Sequence, residues 1–476
     1  MQRLLPARRT AELVGDFDRS PAYHGLAESL RVLIGDGRIP RGVRLPSERE
    51  LTDALGVSRT TVSRAYAELR EHGYLASRQG SGWVATLPGG RGHRGDPLLP
   101  SGAEPGGAID LTVAAPLPGP GVMAAYERAV AELPAYLAGT GYYPSGLPVL
   151  REAVARSYAT RGLPTTPEQI VVVPGALAGV AVAAHTLVAR GDRVVLESPS
   201  YPNAIATLRG CGARVVGADA DDWVGAVTAT VAQTRAAAAY LIPDFHNPTG
   251  ALRNDDERIA VAAALRRAGT VAIVDESMVA LGLDGDPMPA PLAAHLDDAV
   301  SVGSLSKPFW GGLRVGWLRV SAELVDRVVR TRVTLDLGVA PLEQLVAADL
   351  LRTGADLLAH RHRQLRESRA AALDALATHL PSWEVSSPRG GLNLWCRLPE
   401  PLSSELVPIA AGHDVLLAPG PSFAPEGGLN SFLRVPYTQP AEVVTEAISR
   451  VSAAWHDTLA SRSTRTARGV APTLVA

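Results

Sequence analysis

The chain has 476 residues, 46 Lys+Arg against 48 Asp+Glu and a formal net charge of -2, so any nucleic-acid surface on it must be local. A hydrophobic content of 46% supports a sizeable core, and the length points to more than one domain. Cys211 and Cys396 lie far apart without a CxxC pair, which argues against a disulfide framework or a zinc site and for buried free thiols.

Residues 1–19 read as an N-terminal extension without the apolar core of a secretory signal, and the protein is expected to be cytoplasmic. Leu26, Leu30, Leu33 and Ile34 then recur on one helical face. Ser47 and Glu50, directly after Pro46, form a capping-box pattern that opens a second helix, and Gly56 ends it. Ser58 is placed to cap a third, with Val62, Ala65 and Leu69 turned inward. Two short helices joined by a tight turn predict a helix-turn-helix whose second helix enters the major groove at its start. Residues 74–84 read as a β-hairpin with a flexible polar tip, a wing.

The runs P-S-E-R-E-L, L-G-V-S-R-T-T-V, A-Y-x-x-L and Q-G-S-G closely resemble the winged-helix domain of GntR-type transcription regulators. The resemblance implies a mainly α, winged helix-turn-helix DNA-binding domain over residues 20–85. It places Arg49, Arg59, Thr60, Thr61 and Ser63 against double-stranded operator DNA, with Gln79 and Gly80 at the wing. Residues 1–85 hold 13 Arg against 10 Asp+Glu, the local basic excess such a role needs. A flexible linker over residues 86–108 follows, since residues 85–108 contain eleven Gly or Pro in 24.

From residue 109 apolar strand-like runs alternate with alanine-rich helical ones, with strands expected at 170–173, 193–196, 240–242, 271–274 and 299–301. This predicts an α/β domain over residues 109–456 around a mostly parallel sheet, with ligands at the carboxyl ends of the strands. The apolar run 170–188, broken by Pro174, Gly175, Gly179 and His185, reads as strand, tight turn and core helix rather than a membrane span. Gly175 and Ala176 open a helix after a strand and leave N–H groups for a phosphate. Tyr201 offers a ring to stack on a flat heterocycle, Asn247 an amide, and Asp275 a carboxylate for a protonated pyridine nitrogen. His360-Arg-His362, without a nearby carboxylate or thiol pattern, reads as surface rather than metal ligand. Residues 457–476 read as a disordered tail.

Lys307 is the only lysine; the rest of the 46 Lys+Arg are arginine. Arginine keeps its proton, whereas a lysine amine can lose one and attack a carbonyl. Ser304 and Ser306 offer hydroxyls beside it, Gly311 and Gly312 permit close backbone approach, and Arg314 can grip a phosphate bidentately. The segment resembles the S-x-S-K and G-x-R signature of fold-type I, aspartate-aminotransferase-like pyridoxal 5'-phosphate (PLP) enzymes. The resemblance implies large and small subdomains, PLP bound covalently to Lys307, and a phosphate held by Ser304 and Arg314. Around Gly141 to Gly146 the chain resembles the family segment whose tyrosine, here Tyr142, reaches the neighbouring subunit's cofactor phosphate. Phe432-Leu-Arg434-Val resembles the segment whose arginine receives a substrate α-carboxylate.

A GntR head on an aminotransferase-like body is the architecture of the MocR-type regulators, and the resemblance covers nearly the whole chain. It implies a homodimer in which PLP, or a small amino-group effector that meets it, controls transcription. Two departures stand out. The family's tyrosine three residues after the aspartate is Met278, and the hydroxyl residues of the phosphate loop are Pro174 and Ala176. Both remove contacts that tune an efficient transaminase. Two other readings therefore stay open: an active PLP-dependent aminotransferase carrying a DNA-binding domain, and a repressor whose body has lost PLP and only dimerises.

Overall fold

A computed structural model describes residues 4–35, 38–39, 42–78, 82–86 and 107–467, the side chains of 462–467 excepted. The chain divides into a head, residues 1–104 with 118–128, and a body, residues 105–117 with 129–476.

In the head, α1 (Ala7–Val14), α2 (Ala22–Gly35), α3 (Glu48–Leu55) and α4 (Arg59–Glu71) precede a hairpin of β1 (Leu75–Arg78) and β2 (Gly82–Ala85). Leu26, Leu30, Leu33 and Ile34 of α2 share one core with Leu51, Val62, Ala65, Tyr66 and Leu69. The capping box opens α3: Ser47 Oγ accepts the Glu50 N–H at 3.3 Å, and Glu50 Oε2 accepts the Ser47 N–H at 2.8 Å. Gly56 ends that helix in the left-handed region, and Ser58 Oγ caps α4 by accepting the Thr61 N–H at 3.1 Å. Residues 1–19 are more than an extension. Their helix α1 packs on α3 and buries Thr10 and Val14, a short apolar side too brief for periodicity to reveal. The strands β1 and β2 pair antiparallel from Leu75↔Ala85 to Arg78↔Gly82; the wing tip, with Gln79 and Gly80, lies outside the described residues.

The body begins with β3 (Ile109–Asp110). Its main sheet comprises β4 (Ile170–Val173), β5 (Arg193–Ser198), β6 (Arg214–Asp219), β7 (Ala238–Leu241), β8 (Val271–Asp275), β9 (Ala299–Ser304) and β10 (Gly316–Arg319). Their spatial order is β4-β10-β9-β8-β7-β5-β6, with β10 antiparallel to both neighbours and the other pairings parallel. Every expected strand is present. β7 starts earlier than expected because Ala238 and Ala239 are wholly buried between β5 and β8, where small side chains suit a strand covered on both faces. The apolar run 170–188 forms β4 and the helix Ala176–Leu187, and no helix among the described residues is long and apolar enough to cross a membrane.

A second, antiparallel sheet follows, built from β11 (Glu384–Val385), β12 (Asn393–Arg397), β14 (Ala418–Pro419) and β15 (Phe432–Pro436); β13 (Val415–Leu416) pairs instead with β3. The helices Ala355–His379 and Ala441–Ala467 share its core through Leu365, Leu376, Val451 and Trp455. The expected disordered tail is corrected as far as Ala467: the last helix runs through that residue and buries Thr458, which its Ser/Thr/Arg-rich composition hides, while residues 468–476 lie outside the described residues. The stretch around His362 is not surface either. Arg361 is buried and donates to the carbonyls of Pro308 and Phe309, while His362 Nε2 lies 2.7 Å from the Ala280 carbonyl. Cys396 is buried and Cys211 half-buried, and both are free.

Candidate functional site

Parallel strands leave their carboxyl ends on one edge of a sheet, and here β4, β5, β7, β8 and β9 each deliver predicted residues to that edge. The antiparallel β10 begins there, which brings Arg314 to the same place. After β4, Gly175 takes φ +94 and caps the helix Ala176–Leu187 without any side-chain bond. The first N–H groups of that helix have no intrahelical partner, a favourable place for an anion. Arg314 lies against this loop and donates to the Pro174 carbonyl at 3.0 Å.

Ser304 ends β9, and its Oγ accepts the Ser306 N–H at 3.1 Å in the turn that carries Lys307. Ser306 Oγ is buried without a hydrogen-bond partner. Lys307 is half-buried. Burial above all, with the nearby cation of Arg434, draws its pKa down to about 8 against the opposing charge of Asp275. Lys307 Nζ donates to the Ala114 carbonyl at 2.8 Å.

Asp275 is buried at the end of β8. Its Oδ1 accepts the Ser277 N–H at 2.9 Å and its Oδ2 accepts the Tyr240 hydroxyl at 2.7 Å. Tyr201, following β5, is half-buried, and its hydroxyl accepts from Asn203 Nδ2 at 3.0 Å. Asn247 sits in the loop after β7, where its Oδ1 lies 3.4 Å from both Arg434 Nη1 and Asn393 Nδ2. Arg434, on β15, is buried with its guanidinium carbon 4.9 Å from the centre of the Phe423 ring. Burial draws its pKa to about 10, which leaves it a cation at neutral pH.

Residues 107–117 run across these groups as a strap. The Thr112 carbonyl accepts from Arg434, the Ala114 carbonyl from Lys307 and the Leu117 carbonyl from Arg361. Asp110 stiffens the strap by accepting the Thr112 N–H at 2.7 Å. Sequence reasoning missed both the strap and Tyr240: backbone carbonyls leave no trace in residue type, and a strand tyrosine counts as core. Tyr142 does not join the cluster and stands 63% exposed. Met278 is buried in the apolar cluster that holds Phe245 and Leu281.

In the head, Arg49, Arg59 and Thr60 are exposed near the starts of α3 and α4. Thr61 and Ser63 are half-buried and engaged internally: Thr61 Oγ1 pairs with Ser58 Oγ at 2.8 Å, and Ser63 donates to Glu48 Oε2. Arg64 lies over the Tyr23 ring at 3.6 Å.

Fold and cluster together define a class: an aminotransferase-type body and a winged helix-turn-helix head in one chain. Residues 132–451 match the model of the aminotransferase class I and II family, and residues 22–84 match that of the gntR family of bacterial regulatory proteins. The chain belongs to the aminotransferase class I and II family, in the MocR-type form that carries a GntR head. It is 29% identical over 442 residues to the probable rhizopine catabolism regulatory protein MocR of Rhizobium meliloti, covering 84% of this chain and 86% of that one. To the uncharacterized HTH-type transcriptional regulator YdfD of Bacillus subtilis it is 26% identical, covering 81% and 86%. Among solved structures it resembles LysN, the alpha-aminoadipate aminotransferase of Thermus thermophilus, complexed with N-(5'-phosphopyridoxyl)-L-leucine. That match has a TM-score of 0.67 at 28% identity and covers 74% of this chain and 93% of the other.

Proposed function

We propose that the chain is a cytoplasmic, homodimeric transcriptional regulator that binds operator DNA through its head and holds PLP on Lys307, sensing the cofactor or a small amino-group effector. The observation that carries this reading is Lys307 itself. The chain's only lysine lies half-buried at the strand ends with its pKa drawn to about 8. Such an amine keeps a usable neutral fraction at neutral pH, which no arginine does.

The surrounding residues fit the group. The orphaned Ser306 hydroxyl and the tight approach of Arg314 to Gly175 suit a phosphate, which Ala176 and Ser304 would also face. Tyr201 would stack on the ring, Asn247 would face its edge, and Asp275 would accept from its nitrogen. Arg434 would take an effector carboxylate. When bound, PLP supplies an electron sink. The phosphopyridoxyl group in the LysN complex and the regulator names of the relatives support the two halves of the reading.

Leu137, Tyr142, Leu335 and Leu337 are exposed. The two loops that carry the last three are neighbours, since Arg332 donates to the Pro144 carbonyl at 2.6 Å and Gly338 approaches Tyr143. This apolar face suits a second copy of the chain, across which Tyr142 would reach the partner's phosphate.

Met278 in the core and Ala176 in the phosphate loop favour sensing over turnover. An absorbance spectrum of the purified protein, recorded with candidate amines and beside an operator-binding assay, tests the proposal. A visible band of the Lys307-bound cofactor is expected, and amines that change it should change operator affinity. Rapid keto-acid release with unchanged operator affinity would favour the aminotransferase reading.

A further inference from the structure

Tyr240 lies within the main sheet, on β7 beside β8, and is wholly buried. Its strand neighbours are Ala238, Ala239 and Leu241, as suits a strand covered on both faces. A hydroxyl buried there without a partner would destabilise the fold. It donates to Asp275 Oδ2 at 2.7 Å, while the Ser277 N–H holds Oδ1 at 2.9 Å. Two donors on opposite oxygens fix the plane of the carboxylate, and each oxygen keeps a free lone pair. Burial first, and then the charge of Asp275, raises the phenol well above its ordinary pKa. It therefore remains a donor at any pH the protein meets.

We propose that Tyr240 is a positioning residue that acts through Asp275, aiming the carboxylate's free lone pair at the ring nitrogen of the cofactor. The inference rests on the role given to Asp275 in the proposed function. Its weight comes from position 278, where methionine, turned into the apolar cluster with Phe245 and Leu281, offers the ring no hydroxyl. Control of the ring then falls on Asp275 and on whatever aims it. A tyrosine that merely fills the core and rests its hydroxyl on the nearest acceptor makes a different prediction.

The test is a pH titration of the visible band in the full chain at saturating PLP, with PLP affinity and melting temperature measured alongside. Wild type, Tyr240→Phe, Asp275→Ala and the double variant are compared. Tyr240→Phe is expected to keep the band and to bind PLP about fivefold more weakly. The band's pH midpoint is expected to rise, because a poorly aimed Asp275 leaves the ring nitrogen less firmly protonated and the ring less electron-withdrawing. In the Asp275→Ala background, removing the hydroxyl should change neither quantity. A wild-type midpoint and affinity in Tyr240→Phe, an equal change in both backgrounds, or a fall in melting temperature alone would each overturn the proposal. Absence of the band in the wild type would instead strike down the cofactor reading, and this inference with it. Should Tyr240→Phe fail to fold, 3-fluorotyrosine incorporated at position 240 keeps the shape and strengthens the donor. It should move the midpoint, and an unmoved midpoint overturns the proposal.

Discussion

A β-carbon on Gly175 would lie 2.7 Å from Nη2 of Arg314, nearer than any real side-chain carbon settles. The residue also sits at φ +94, where only glycine is unstrained. Gly175→Ala is expected to push the guanidinium off its loop and weaken PLP binding by roughly tenfold, the factor that about 1.4 kcal/mol amounts to. A PLP titration followed by absorbance measures this; wild-type affinity in the variant would refute the phosphate role of the pair.

Lys307→Arg keeps the charge and loses the nucleophile. With no other lysine in the chain, the variant should show no visible cofactor band at all. Borohydride reduction and mass spectrometry read the outcome, and an adduct on any other side chain would contradict the assignment.

The neutral amine is the reactive form, and burial sets the Lys307 pKa at about 8. Adduct formation with PLP should therefore speed up as pH rises and level off above about 8. Removing the neighbouring cation by Arg434→Gln should move that midpoint upward. Stopped-flow absorbance between about pH 6 and 10 checks both, and a rate flat with pH would contradict them.

Legibility followed how far each feature depended on residue type. Caps and periodicity revealed the head's helices, because Ser47, Glu50 and Ser58 act on their own backbone within four residues. The strand ends were legible because chemistry demands unusual side chains there: one lysine, a strand-final Asp275, a glycine before a helix. Three things were not. The short apolar side of α1 escaped periodicity, Ser/Thr content disguised the last helix, and the grip of Thr112 and Ala114 on the site uses carbonyls that every residue has.

Arg59→Ala should weaken specific operator binding by about 1–3 kcal/mol if its exposed guanidinium reads a guanine edge. Ser63→Ala should act mainly on the stability of the head, since its hydroxyl already serves Glu48. Fluorescence anisotropy with operator DNA and thermal melts separate the two; unchanged binding in an Arg49/Arg59 double variant would sink the DNA face.

Leu335→Asp combined with Leu337→Asp places two charges on the apolar face near Tyr142. Sedimentation should then report a monomer, and PLP should be lost more readily because the partner's tyrosine no longer reaches the phosphate. A stable dimer would move the interface elsewhere.

The strap has one further consequence. Thr112 and Ala114 occupy, with two carbonyls of one short stretch, Arg434 and Lys307, the side chains that the proposed function gives to an effector carboxylate and to PLP. PLP on Lys307 would displace the Ala114 contact, and an effector carboxylate on Arg434 would displace the Thr112 contact, so cofactor and effector together would free the stretch. In chain order that stretch is no dangling end: residues 1–104 before it and 118–128 after it both belong to the head. What cofactor and effector would slacken together is a drawstring within the body, with stretches of the head on either side of it in sequence.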